Sequence, residues 1–334
     1  MDIEQPAELT SYLYQKAFVT PNERITAQVL TGGVSNRTVL ITRANHEQWV
    51  IKQALGKLRV KADWFSDPVR IHREAQALQY LGALAPTGSV PELIFDDVDQ
   101  HIIAMRAVPQ PHLNWKSMLL QGQLELQHVA QFANWLGLVQ RNALAQPQLK
   151  AQFADRAFFE TLRLEPYYRY TASCIPEAAD FLHQLIEDTL AREDTLVHGD
   201  FSPKNVLVYQ DRLVVLDYEV IHWGDPAFDV GFALTHLLSK AHHLVKQRAA
   251  FAAAAQHFWQ TYAQHVEGLF GDLQGRAVRH TLACLLARVD GRSPLEYLSD
   301  DERQQQRDGV LALIQAPILI ATMNELIERF VRTL

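Results

Sequence analysis

Apolar positions along this chain follow two different periods, and the change from one to the other divides it. Up to residue 106 they alternate in short runs rich in β-branched residues. The runs predict strands over Ile25–Leu30, Thr38–Thr42 and Gln48–Gln53, then a pair over Val90–Asp96 and His101–Arg106. A short helix over 8–18 precedes them. A second helix interrupts them, with Ile71, Ala75 and Leu78 on one face. The segment 107–111 carries Pro109 and Pro111, which restrict the backbone and remove donors, as suits a stiff connector. Beyond it the period becomes helical. Val129, Phe132, Leu136 and Val139 form one stripe of a helix over 124–144. Further helices are expected over 176–192, from near Phe228 through 233–240, and over 246–267, 273–289 and 303–331. The pattern predicts an α+β fold of two lobes: a small β-rich lobe over 1–106, a hinge over 107–111 and a larger, mainly helical lobe over 112–334.

Composition narrows the function classes. The 334 residues are 48% hydrophobic and 21% charged, which suits a folded chain with a sizeable core. The net charge of −7 lacks the basic excess of a nucleic-acid-binding surface, so no nucleic-acid partner is expected. Cys174 and Cys284 lie far apart without metal-ligand spacing and suit a reducing compartment. Met1–Pro6 lacks the character of a signal peptide. The most apolar run, Val310–Met323, is too short for a membrane span and contains Gln315 and Pro317; it is expected as part of a buried terminal helix. These features predict a cytoplasmic protein without a membrane partner. Homodimerisation is left open.

The candidate chemistry sits in two consecutive strand ends. Val197–Val208 places Asp200 five residues before Asn205, and Leu213–Glu219 places Asp217 at the end of an apolar strand. The kinase catalytic loop H-R-D-x-x-x-x-N has the first spacing, with Asp facing the acceptor hydroxyl and Asn on a metal ion. Its D-F-G Asp ends a strand as Asp217 does. Either piece alone is compatible with a turn, whereas a base and two metal-suitable groups on successive strands favour catalysis. Upstream, Gly32 and Gly33 lie between two strands, either as a plain hairpin turn or as a loop whose amides approach phosphate. Lys52, one strand later in Val50-Ile51-Lys52, matches the lysine that grips ATP phosphates, or is a solvated edge residue. Glu74 is its candidate partner, or an ordinary helix acid. Arg106 to Val108 stand where a hinge backbone would meet adenine. Asp229, in the first turn of a helix, is expected to accept from backbone N–H groups of the catalytic loop. The polar segment 288–297 is a candidate acceptor contact or a solvated turn, and Trp64, 155–170, His222 and Trp223 are further candidates for the acceptor pocket.

With His198-Gly199-Asp200, Asn205, Asp217 and Gly224-Asp225-Pro226 with Asp229, the chain resembles the aminoglycoside phosphotransferase and choline kinase group of small-molecule kinases. The likeness runs from Gly32 to about Leu238. Lys52-Gln53-Ala54-Leu55, Arg59, Trp64 and Asp217-x-Glu219 are most similar to methylthioribose kinases, which generally carry Ser at the place of Asn205 and run longer. The resemblance implies a bilobal protein-kinase-like fold and ATP-dependent phosphorylation of a small, sugar-like hydroxyl acceptor. It implies Asp200 as base, and Asn205 and Asp217 as Mg²⁺ ligands helped by Glu219. It also implies Gly32, Gly33, Asn36, Lys52 and Glu74 at the nucleotide. The alternative is a kinase-shaped binding module without turnover. A protein kinase is disfavoured, because D-F-G and A-P-E are missing.

Overall fold

The alternating runs pair into one antiparallel sheet in the computed structural model, which describes every residue except 32, 34, 60–63 and 319. Its strands are β1 (Thr26–Val29), β2 (Asn36–Thr42), β3 (Gln48–Ala54), β4 (Leu93–Asp97) and β5 (Ile102–Arg106), in the order β1-β2-β3-β5-β4. The pleat separates two functions. Val39, Ile41, Trp49, Ile51, Ile102 and Ala104 pack on one side with Leu9, Tyr12 and Leu13 of the helix Pro6–Gln15. Lys52, next to Ile51, therefore points to the other side, flanked by Thr38 of β2 and Ile103 of β5. The helix Arg70–Leu84 covers that side of the sheet, with Ile71, Ala75 and Leu78 in the same core as Ala54, Ile103 and Met105.

After residue 106 the chain runs through β6 (Leu113–Asn114) into the helical region. The strands β7 (Thr195–Val197), β8 (Val206–Tyr209), β9 (Arg212–Val215) and β10 (His222–Gly224) form two small ladders, β6-β8-β9 and β7-β10. The helix Ala227–His243 is buried along almost its whole length, from Ala227 to His242, and packs against Arg248–Val266 and Leu273–Asp290. Close approach demands glycine on it: a Cβ at Gly231 would stand 2.6 Å from the backbone carbon of His280. Among the described residues no helix is long and apolar enough to cross a membrane.

Two expectations are corrected. The helix anticipated over 303–331 is two helices, Asp300–Ile314 and Met323–Arg332. Pro317 lacks an amide donor and crowds the preceding turn, so the first helix stops before it. Thr322 starts the second by accepting from the Glu325 N–H at 3.2 Å. The apolar run Val310–Met323 is thus no buried helix: its ends are buried, while Ile318 is 68% exposed. The segment 155–170 becomes a helix whose stretch Glu160–Arg169 is π-helical around Pro166. The missing proline donor favours the wider turn.

Candidate active site

Hairpin register brings the two acidic strand ends together. Strands β8 and β9 are joined through Gln210 and Asp211, both at positive φ, and pair Val206 with Val215. The residues just beyond that pair must then face each other, and Leu216 N–H donates to the Asn205 carbonyl at 2.9 Å. Asp217 follows with φ +70°, a conformation that non-glycine residues rarely hold.

The loop that carries Asp200 leaves β7 at Val197, opposite His222 of β10. Gly199 turns it at φ +77°, where a Cβ would sit 2.9 Å from the Val220 carbonyl oxygen. Phe201 anchors it, stacked on Phe132 with centroids 3.9 Å apart. Asp229, fully buried, braces it by accepting from His198 N–H at 2.7 Å and Gly199 N–H at 2.8 Å. Gln140 donates to the same carboxylate at 3.2 Å and is itself held by Tyr262. Burial pushes the Asp229 carboxyl up to about 7, against the pull of the two amides. Replacing Asp229 by Ala would strand both N–H groups, at about 1–3 kcal/mol each. A loss of about 2–5 kcal/mol in chemical denaturation is expected, and a loss below 1 kcal/mol would show that the brace is redundant.

Asp200 is held through one oxygen. Asn205 Nδ2 donates to Oδ2 at 2.7 Å, Arg163 Nη2 meets it at 2.9 Å and Lys204 Nζ stands 3.9 Å away. Among the described residues no side-chain hydrogen bond falls on Oδ1. Because Asn205 spends its amide nitrogen on Asp200, its amide oxygen is free to turn elsewhere.

Lys52 Nζ lies 2.7 and 3.0 Å from the two oxygens of Glu74 and 3.6 Å from Asp217 Oδ1. Burial works against the ammonium, but Glu74 and Asp217 outweigh it and hold Lys52 charged well beyond the ordinary lysine range. Burial raises Glu74, with Lys52 opposing. Glu219 is tied to the sheet side of the cleft: its Oε2 receives Arg70 Nε at 3.1 Å and Asn36 Nδ2 at 3.4 Å. Arg70 is wholly buried, and its remaining donors meet the carbonyls of Ser35, Leu55, Ser66 and Asp67.

One cleft of about 560 Å³ gathers Gly33, Asn36, Lys52, Arg106, Val108, Asn205 and Asp217. Gly32 lies outside the described residues. Glu74, Asp200 and Glu219 reach the cleft through Lys52, Asn205 and Asn36. The Arg106 side chain turns to the surface, paired with Glu92 at 2.7 Å and Glu47 at 2.5 Å, so it offers the cleft its backbone. His222 and Trp223 do not serve as acceptor-pocket residues: the His222 ring stacks on Phe159 at 4.0 Å and the Trp223 indole donates to the Glu193 carbonyl.

The donor set suits a hard cation. Asp217 Oδ1 is buried without a hydrogen-bond partner, and the Asn205 amide oxygen completes an all-oxygen pair. Among the described residues no group of three or more His, Cys, Asp or Glu could hold a metal alone. Mg²⁺ typically takes one or two carboxylates and completes its shell with water and substrate phosphate.

Burial lowers His222 to about 3 and His198 to about 4. Both are neutral in the folded state and charge on unfolding below the ordinary histidine value. The contribution of these two rings should therefore fall as pH drops from about 6.5 towards 4, by up to about 1.4 kcal/mol per pH unit for each ring, while the raised carboxyls of Asp229 and Glu74 work in the opposite direction. Denaturant midpoints between pH 7 and 5 test this; His222→Phe should flatten the slope, and an unchanged slope would contradict it.

Sequence reasoning passed over Arg163, Arg70 and Lys204. Lys204 stood inside the catalytic-loop motif, next to Asn205, and its spacing to Asp200 was a usable signal. Arg163 and Arg70 carried none, because their partners lie 37 and 149 residues away.

The phosphotransferase enzyme family model matches residues 26–269, which include every element of this cleft. The chain belongs to that family. It is 27% identical to methylthioribose kinase 2 of Oryza sativa subsp. japonica over 228 residues, 60% of this chain and 53% of that protein. It is 24% identical to methylthioribose kinase of Pectobacterium atrosepticum over 284 residues, covering 73% and 69% of the two chains. The chain spans about half the length of the rice relative. Amicoumacin kinase, solved with AMP-PNP, Ca²⁺ and Ami, superposes over 93% of this chain and 96% of its own with a TM-score of 0.55 at 16% identity. That likeness shows a shared fold, a small antiparallel sheet region and a larger helical region.

Proposed function

We propose that this phosphotransferase moves the γ-phosphate of ATP to a hydroxyl of a small, sugar-like metabolite. The convergence of the Lys52–Glu74 pair, Asp217, Asn205 and Asp200 on one cleft carries the reading. Lys52 would meet the ATP phosphates while Glu74 keeps its ammonium in place. Asn205 and Asp217 would hold Mg²⁺, helped by Glu219; the ion would neutralise charge on the phosphates. Gly33 and Asn36 would line the phosphate end. The Val108 N–H, without an acceptor among the described residues, would face the adenine. Asp200 Oδ1 would orient the acceptor hydroxyl. The bond from its oxygen to Pγ forms as the bond from Pγ to the bridging oxygen breaks, ADP leaves, and the hydroxyl proton passes to Asp200 and then to solvent.

The test is ADP release with Mg-ATP across methylthioribose, pentoses, choline, homoserine and aminoglycosides, with Asp200→Asn as control. Turnover that disappears in the variant supports the reading. Absence of any Asp200-dependent ADP release, against acceptors or water, would replace it with that of a nucleotide-binding module.

A further inference from the structure

Basic side chains accumulate behind Asp200, and two of them, Arg288 and Lys240, have no matching carboxylate among the described residues. The Arg163 guanidinium, paired with Asp200, lies 5.9 Å from the centre of the Tyr167 ring. Arg288 lies 5.5 Å from the same ring and donates to the Tyr167 hydroxyl at 2.9 Å. Arg288 is only 8% exposed; its other bonds go to Ser293, and its Nε is buried without a partner. Lys240 is fully buried, and among the described residues its ammonium donates only to the His236 carbonyl of its own helix, at 3.1 Å. No described carboxylate comes within ion-pair distance of it. Its ammonium lies 5.4 Å from the centre of the Tyr297 ring, whose hydroxyl is likewise buried and unpartnered.

These groups share one positive region. Burial, then Lys116 and Arg288, lower Lys240 to about 7. Burial drives His236 well down, and Arg288, Lys240, Lys116 and Lys204 all add to it. Lys204 connects the region to the catalytic loop, 3.9 Å from Asp200. Glu296 is spoken for by Lys116. Sequestering cations side by side without counter-ions is unfavourable, and an anion among them removes the penalty. A cationic acceptor would be repelled here, and a neutral one would leave the charges uncompensated.

We propose that the acceptor is an acidic alcohol, with its hydroxyl at Asp200 Oδ1 and a carboxylate or phosphate group held by Arg288 and Lys240. This rests on the phosphotransfer reading, and the chemistry at the hydroxyl is the same. The test is ADP release from Mg-ATP by the full chain with matched pairs of alcohols. One arm pairs glycerate, gluconate and pantoate with their amides or neutral alcohols. The other pairs ribose 5-phosphate and glycerol phosphate with ribose and glycerol. Choline and kanamycin represent cations. The expected result is at least a tenfold preference in kcat/KM for the charged member in one arm, and the responding arm identifies carboxylate or phosphate. Arg288→Gln and Lys240→Met should each shrink that preference about 10- to 100-fold through KM, and Arg288→Lys should restore part of it. Thermal melting accompanies each variant, and Arg288→Lys serves if Arg288→Gln does not fold.

Preferred turnover of neutral or cationic alcohols overturns the proposal and leaves the kinase reading standing. So does silence towards acidic alcohols with Asp200-dependent ATP hydrolysis intact. An Arg288→Gln variant that lowers kcat equally for every acceptor also overturns it, because that behaviour belongs to a contact with the transferred phosphate. Loss of all Asp200-dependent ADP release is the separate failure, that of the kinase reading itself.

Discussion

Asp200→Asn is expected to lower kcat by about 10²- to 10⁴-fold, the usual contribution of a positioned general base, while ATP binds nearly as before. The reason is geometric. Asp200 Oδ2 is committed to Asn205, Arg163 and Lys204, and the substitution preserves the shape of the side chain. What disappears is the anionic oxygen offered to the hydroxyl. Asparagine also places an NH₂ group either against the Arg163 guanidinium or at the hydroxyl position, so Arg163 loses its carboxylate in both orientations. ADP release under saturating ATP gives kcat, and titration with a fluorescent ATP analogue gives affinity. A variant within threefold of the parent kcat would remove Asp200 from the chemistry, and a parallel collapse of nucleotide affinity would make its role structural.

Lys52→Met should act on both activity and stability, and the two effects can be separated. The substitution removes the cation that would meet the phosphates, and kcat/KM for ATP should fall by about 10²- to 10³-fold, as for other charge-stabilising groups aimed at a reacting centre. It also strands Glu74, which is fully buried and whose two oxygens both face the lysine. Breaking a buried pair from one side costs about 3–5 kcal/mol. That loss should be smaller at pH 6 than at pH 8, because the stranded carboxyl escapes its charge by taking a proton. The double variant Lys52→Met/Glu74→Gln should regain much of the stability and none of the activity. Urea denaturation at both pH values, together with ADP release, reads all of these outcomes. Equal stability of the single and double variants would show that the pair is held by packing alone.

The features legible in the sequence were those written in local covalent geometry. Alternation over Thr38–Thr42 and Gln48–Gln53 puts Lys52 on the face opposite Ile51 wherever the sheet packs, since successive strand residues point to opposite sides. The five-residue step from Asp200 to Asn205 spans a single tight loop, so the two side chains meet at 2.7 Å. Asp229 was legible as a first-turn carboxylate. Where local rules compete, the reading weakened. Apolar periodicity over 303–331 carried the helix through Pro317, which the backbone cannot do.

The amino-acid order alone thus determined the two-lobed α+β pattern, the strand faces and the identity of the acidic residues at the strand ends. Tertiary structure alone decided who meets whom. Arg70 joining Glu219, Arg163 holding Asp200, and Arg288 and Lys240 gathering behind the catalytic loop each link elements far apart in sequence. Their proximity depends on how whole helices and strands dock. Docking is set by the summed burial of many side chains, so no single spacing in the sequence encodes it.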